Sequence, residues 1–171
     1  MSNEKDQIRI AGVVRESIVD GPGFRFVVFA QGCPHHCPGC HNPDTHDFAA
    51  GYACDMDRII NAIEGEHLLS GVTFSGGEPF CQPEAFYYLA LKLKEKNMNL
   101  MSFTGYTYEE LIELGEKNEF VLKLLGQLDL LIDGRFVLCE KDLTLTFRGS
   151  RNQRFIDLNE TRKTGRLVEI S

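Results

Sequence analysis

Short apolar runs, rich in β-branched and aromatic residues, alternate along this chain with stretches whose apolar positions recur every three or four residues. The runs at 24–30, 72–75, 100–103 and 128–132 are short, mainly apolar and lacking in helical periodicity, as strands buried on both faces are. They predict four strands. Between them, Met56, Ile59, Ile60 and Ile63 fall at i, i+3, i+4 and i+7, and Phe86, Leu89, Ala90 and Leu93 repeat that spacing. Each set makes one apolar stripe of an amphipathic helix. Pro83 suits the first turn of the second helix, and Thr107 with Glu110 reads as a capping box that opens a third through Leu111 and Leu114. A fourth helix is predicted over 119–127. Weaker strand signals lie at 8–15, 155–158 and 167–170.

The last three of the four main runs begin about 28 residues apart, close to the ~30 residues of a β-α-β unit, which predicts a parallel sheet with right-handed crossovers. A complete (β/α)8 barrel takes about 250 residues, and this chain has 171. The expected fold is therefore α/β, an incomplete, open parallel (β/α) barrel. No repeat, low-complexity tract or linker interrupts the sequence, so 8–171 is expected to be a single domain, with 1–7 disordered.

Hydrophobic content of 43%, charged content of 25% and a formal net charge of −7 describe an ordinary, acidic globular chain and argue against a nucleic-acid partner. The polar opening lacks the apolar core of a secretory signal, and no stretch approaches the ~20 apolar residues of a membrane span. A cytoplasmic setting follows, and with it an expectation that the six cysteines are not disulfides but metal ligands or plain thiols. Cys54, Cys81 and Cys139 stand singly and read as ordinary thiols.

Cys33, Cys37 and Cys40 are different, because they form a C-x3-C-x2-C loop directly after the first predicted strand. Four-iron clusters normally take four cysteines; three in one loop leave an iron open. Zinc is the alternative, with His35, His36, His41 or His46 as fourth ligand, and three separately reactive thiols are a third reading. Parallel α/β folds place ligands at the carboxyl ends of their strands. After the other three runs come Ser75-Gly76-Gly77-Glu78-Pro79, Thr104-Gly105-Tyr106 and Asp133-Gly134-Arg135, so four candidate segments are expected on one rim. Arg25, Arg135, Arg148, Arg151 and Arg154 supply local positive charge, free to pair with a carboxylate or to be paired internally.

With the cysteine loop and Gly76-Gly77-Glu78-Pro79 placed, the sequence resembles the radical S-adenosylmethionine (SAM) enzymes, and within them the glycyl-radical-enzyme activators. Asp20-Gly21-Pro22-Gly23-Phe24-Arg25, Gln31-Gly32-Cys33, His41-Asn42-Pro43 and Thr104-Gly105-Tyr106-Thr107 carry that narrower likeness, which runs from about Gly12 to Asp157. Asp133-Gly134-Arg135-Phe136 and Arg148-Gly149-Ser150-x-Asn152-Gln153-Arg154 resemble the branch that acts on anaerobic ribonucleoside-triphosphate reductase.

The resemblance implies that Cys33, Cys37 and Cys40 hold three irons of a 4Fe-4S cluster, whose fourth iron binds the amino and carboxylate groups of SAM. An electron from the cluster then gives methionine and a 5′-deoxyadenosyl radical, which takes a hydrogen atom from a glycine of the reductase large subunit. A low-potential reductant such as flavodoxin is implied, and no acid/base residue pair is needed. Gly76, Gly77 and Glu78 are expected near the SAM ammonium, and Gly39, Cys40 and His41 near its adenine. Relatives often carry an aromatic ring where His41 stands and another just before the third cysteine, where this chain has Gly39. Activation of a formate-lyase, radical SAM chemistry on a small molecule, and a non-catalytic zinc module are the alternatives.

Overall fold

The computed structural model describes residues 6–171, of which only Asp6 and Gln7 belong to the expected disordered segment; the rest of that segment lies outside the described residues. Gln7 already opens a strand. The elements are β1 (Gln7–Ser17), β2 (Arg25–Ala30), β3 (Tyr52–Asp55), α1 (Met56–Glu64), β4 (Gly71–Gly76), α2 (Pro83–Lys94), β5 (Asn99–Phe103), α3 (Tyr108–Gly115), α4 (Glu119–Gln127), β6 (Leu130–Asp133), β7 (Arg154–Asp157) and α5 (Leu158–Thr164). One seven-stranded sheet runs in the order β3-β1-β2-β4-β5-β6-β7.

The four main apolar runs become β2, β4, β5 and β6, and these pair in parallel. The sheet as a whole is mixed, which corrects the expectation of a parallel one. β1 pairs antiparallel with β2 and β3, and β7 antiparallel with β6. Connection length decides this, since a parallel crossover needs a dozen or more residues and usually a helix. Only residues 18–24 join β1 to β2, and no α-helix lies between β6 and β7. The weak signal at 167–170 yields one bridge, Ile156 to Glu169, rather than a strand.

Side-chain alternation gives the sheet two different faces. Phe26 and Val28 of β2, Phe74 of β4, Leu100 of β5 and Leu131 of β6 point to one face, where they join the stripes of α1 and α2 and the buried residues of α3, α4 and α5 in the main core. All four residues predicted for each of the first two stripes are buried. The capping Thr107 accepts a hydrogen bond from the Glu110 N–H at 3.1 Å. Met101, Ile132 and Phe155 point to the opposite face and form a second, smaller core. That helix-free face leads to the candidate site.

Its amino-terminal end is filled by Arg25, buried to 1% exposure. The guanidinium donates to Thr73 Oγ1 (3.1 Å), Asn99 Oδ1 (2.9 Å) and Val72 O (3.0 Å), tying β2, β4 and β5 together at their starts. No helix of the described residues is long and apolar enough to cross a membrane.

Candidate functional site

A cavity of about 690 Å³ opens where the four parallel strands end. Its lining takes Cys33, Cys37 and Cys40 from the loop after β2, Gly76 at the end of β4 and Gly77 just beyond it, Thr104 and Gly105 after β5, and Gly134 after β6. The four post-strand segments thus meet at one place. Leu143 and residues 145–149 also line it, as do Ile18 and Val19, both about 70% exposed (69% and 71%).

Local bonding explains how the cysteine loop is held. Gly32 N–H donates to Thr45 O at 2.7 Å and Cys33 N–H to His46 O at 3.1 Å, so the loop folds back on its own continuation. The Gln31 side chain braces it by donating to Asp44 O and Asp47 O. The Cys40 sulfur accepts the backbone N–H of Asn42 at 3.4 Å.

The thiols are free, and at Cys33 the surroundings disfavour a bare thiolate. Burial pushes the Cys33 thiol up, and negative charge on Glu78, Cys37 and Cys40 adds to this, while the His35 N–H pulls the other way. A coordinated metal reverses that preference and deprotonates a thiol outright. The donor set therefore fits an iron–sulfur cluster. The buried Nε2 of His46, which lines the same cavity, has no hydrogen-bond partner among the described residues. Among those residues no three His, Cys, Asp or Glu side chains are gathered round one point as a single metal ion needs.

The glycines after β4 line the cavity, yet their small size is demanded from behind. A Cβ on Gly76, whose φ is +89°, would lie 2.8 Å from Ala30 N, Ala30 O and Phe29 Cα. One on Gly77 would lie 2.9 Å from Thr45 O. Gly39 lies outside the lining, against Leu138 and Phe136. His41 lines the cavity, its ring edge-on to Phe136 at 5.2 Å.

Glu78 lies beneath the cavity rather than in it, fully buried. Its carboxylate accepts from Thr104 Oγ1 (2.9 Å to each oxygen), Gly105 N (2.8 Å) and Phe80 N (3.1 Å), and its Oε1 lies 2.7 Å from His35 Nε2. This junction was not readable in the sequence, where His35 stands between two cysteines and reads only as one of four candidate fourth ligands for zinc. Cys81 lies nearby and half-buried; burial, with the charge of Glu78 adding to it, pushes its thiol up to about 11.

The arginines separate by environment. Arg154 pairs with Glu109 at 2.7 Å and with buried Asp133 at 2.5 Å, and Arg135 pairs with both oxygens of Glu110 at 2.9 and 3.0 Å. Asn152 and Gln153 bolt the same segment to the loop after β6 by donating to Arg135 O and Gly134 O. Arg148 is the one arginine or lysine in the cavity lining, and its guanidinium makes a single 3.4 Å bond, to Thr146 O.

Sheet, cavity and cysteine loop together define a single-cluster iron–sulfur protein, and the family described as "4Fe-4S single cluster domain" matches residues 19–156. The chain is 33% identical to the anaerobic ribonucleoside-triphosphate reductase-activating protein of Vibrio cholerae over 144 residues, 80% of this chain and 89% of that protein. Identity to the Escherichia coli K12 protein of the same name is also 33%, over 80% and 90%. It is 36% identical to the pyruvate formate-lyase-activating enzyme of Clostridium pasteurianum over 120 residues, 67% of this chain and 50% of that protein. The crystal structure of QueE from Escherichia coli overlays 59% of this chain and 53% of its own with a TM-score of 0.43 at 17% identity. The chain belongs to the family of radical SAM activating proteins that carry one 4Fe-4S cluster.

Proposed function

We propose that this chain activates an anaerobic ribonucleoside-triphosphate reductase by placing a glycyl radical on it. The observation that carries this reading is identity of 33% across about nine-tenths of the reductase activators, against half the length of the formate-lyase activator. Cys33, Cys37 and Cys40 hold the 4Fe-4S cluster, with SAM beside it. When bound, cluster and SAM supply the one-electron chemistry that ends with a hydrogen atom leaving a glycine Cα of the partner.

The protein's own residues orient and enclose. Gly76 and Gly77 offer backbone alone to the cavity, which leaves space for the SAM ammonium beside it. Cys40 and His41, with Gly39 behind them, border the adenine. Glu78 acts from beneath, through the loops it joins. Leu143, Leu145, Phe147, Ile18 and Val19 give the cavity lining an apolar part on which the partner's glycine segment seats, and that seating excludes water. The helix-backed sheet is the open, incomplete barrel of the radical SAM type, the setting is cytoplasmic, and the electron comes from a low-potential donor such as flavodoxin.

Anaerobic purification followed by iron and sulfide analysis should find about four of each per chain. Incubation with SAM, a reductant and the reductase should then produce a glycyl electron-spin-resonance signal. Signal on a formate-lyase alone would assign the chain to that partner, and stoichiometric zinc without sulfide would remove the reading.

A further inference from the structure

Phe147 has a backbone φ of +62°. Among the described residues the other non-glycines in that left-handed region are His36 and Asn97, both of types that enter it more readily than a bulky aromatic does. A ring at such a position is held there against a local cost, and the packing shows what holds it. The side chain joins Met101, Ile132 and Phe155 in the smaller core, edge-on to Phe155 with ring centroids 5.7 Å apart. Two residues on, Gly149 is pinned as well: its N–H donates to Gln153 Oε1 at 2.8 Å, and its O accepts the Asp142 N–H at 3.2 Å. Arg148 stands between these two anchors. All three residues line the cavity, and the guanidinium makes a single 3.4 Å bond, back across Phe147 to Thr146 O.

We propose that Phe147 is a positioning residue: its ring, fixed against Phe155, holds a strained turn that presents the Arg148 guanidinium to the negative charge of the ligand in the cavity. The inference rests on the proposed function in taking SAM, through its carboxylate, as that ligand. Backbone direction matters here because the arginine has little else to fix it. A long side chain loses rotamer freedom when it pairs with a ligand, and a backbone already ordered in the pairing direction reduces that loss. Without the ring in the core, the turn is free to relax to an ordinary φ, and the residue that follows it leaves in another direction. The strain thus belongs to the site, through Arg148.

The test is calorimetric titration of SAM into the loaded, oxidised protein, with Phe147→Gly, Phe147→Asn and Phe147→Leu each made alone and combined with Arg148→Met. Gly and Asn accept the left-handed turn but lose the anchor, whereas Leu keeps an apolar one. F147G and F147N should raise the SAM Kd by roughly tenfold, because a freed arginine must be ordered on binding, and F147L should raise it less. Urea unfolding of each variant shows which are folded, and F147N carries the comparison if F147G is not. In the R148M background the same Phe147 substitutions should add less than about twofold, since residues that act as one unit do not add. Losses that multiply would make Phe147 an independent wall of the cavity and overturn the pivot, as would an unchanged Kd in the folded single variants. A wild-type protein that holds iron and sulfide but binds no SAM overturns the proposed function, and the inference with it.

Discussion

The backbone N–H of Glu78 donates to Gly32 O at 2.8 Å, which draws the chain leaving β4 against the start of the cysteine loop. Gly77 N–H makes the matching bond to Ala30 O, also at 2.8 Å. At this closeness there is no room for a side chain on Gly77, and the atoms it would strike are backbone, which has little freedom to yield. The two cofactor-facing loops are therefore one backbone unit.

Gly77→Ala should accordingly damage both fold and site. Overpacking costs about 1–3 kcal/mol, and for a domain of this size each kcal/mol lowers Tm by about 2–4 °C. A thermal melt of the apo protein should show that fall. SAM affinity of the loaded protein should fall by roughly tenfold as the two loops part, equivalent to about 1.4 kcal/mol; unchanged affinity would separate the glycine's packing role from the site.

The Arg154–Asp133 pair divides into a buried and an exposed half. Asp133 is 1% exposed and also accepts from Tyr108 N–H at 2.7 Å, whereas the Glu109 side chain on the other side of Arg154 is 63% exposed. Asp133→Ala should destabilise by about 3 kcal/mol, the lower end for breaking a buried pair, because Arg154 keeps Glu109. Glu109→Gln and Glu110→Gln should each cost less than about 1 kcal/mol.

The pH dependence of the two exposed pairs is fixed in sign. Hydrogen bonding from Arg154 and Arg135 holds Glu109 and Glu110 below the usual carboxylate range. A depressed carboxylate stabilises the fold above its unfolded pKa and loses that contribution as pH falls through the lower, folded value. Urea midpoints of wild type and the double Gln variant should thus differ at pH 7 and converge below about pH 4.

The sequence made some of this legible because the responsible interactions are local. The stripes of α1 and α2 and the Thr107–Glu110 cap act within one or two turns, and β2, β4, β5 and β6 announce themselves by being buried on both faces. β3 escaped because four residues, Tyr52–Asp55, at a sheet edge carry no period. α5 escaped although Asp157 and Glu160 offered a cap, since Asp157 Oδ1 accepts from Glu160 N–H at 3.0 Å; the strand signal at 155–158 overlapped it. The convergence of four loops on one cavity followed from strand polarity alone. What each polar group does there was not readable, because His35–Glu78 spans 43 residues and Arg154–Asp133 spans 21.

Arg25 tests what a buried charge contributes to the far end of the sheet. Burial lowers its pKa to about 10, so it stays charged through the neutral range, and the penalty of burying it eases only as pH rises past that value. Arg25→Met removes the buried charge but takes the donor from Asn99 Oδ1 and Val72 O, and from Thr73 Oγ1, which keeps its own bond to Asp20 O. With about 1–3 kcal/mol for each unsatisfied group set against the relief of charge burial, a net loss of about 2–3 kcal/mol is expected. That loss should be the same in urea titrations at pH 6 and pH 8.5.

Arg148 should behave in the opposite way, affecting binding and not stability. Arg135 and Arg154 are occupied by carboxylates of the protein and Arg25 by acceptors at the far end of the sheet, which leaves Arg148 as the strong cation facing the cavity. A guanidinium that pairs with the carboxylate of SAM gives a charge-assisted bond worth about 1.5–3 kcal/mol. Arg148→Met should therefore raise the SAM Kd by roughly 10- to 100-fold while shifting the urea midpoint little, and Arg148→Lys should recover part of the loss, keeping the charge but not the bidentate fork. Isothermal titration of SAM into the loaded, oxidised protein reads the effect without turnover. An unchanged Kd together with a raised KM for the reductase would place the Arg148 charge against the partner instead of the cofactor.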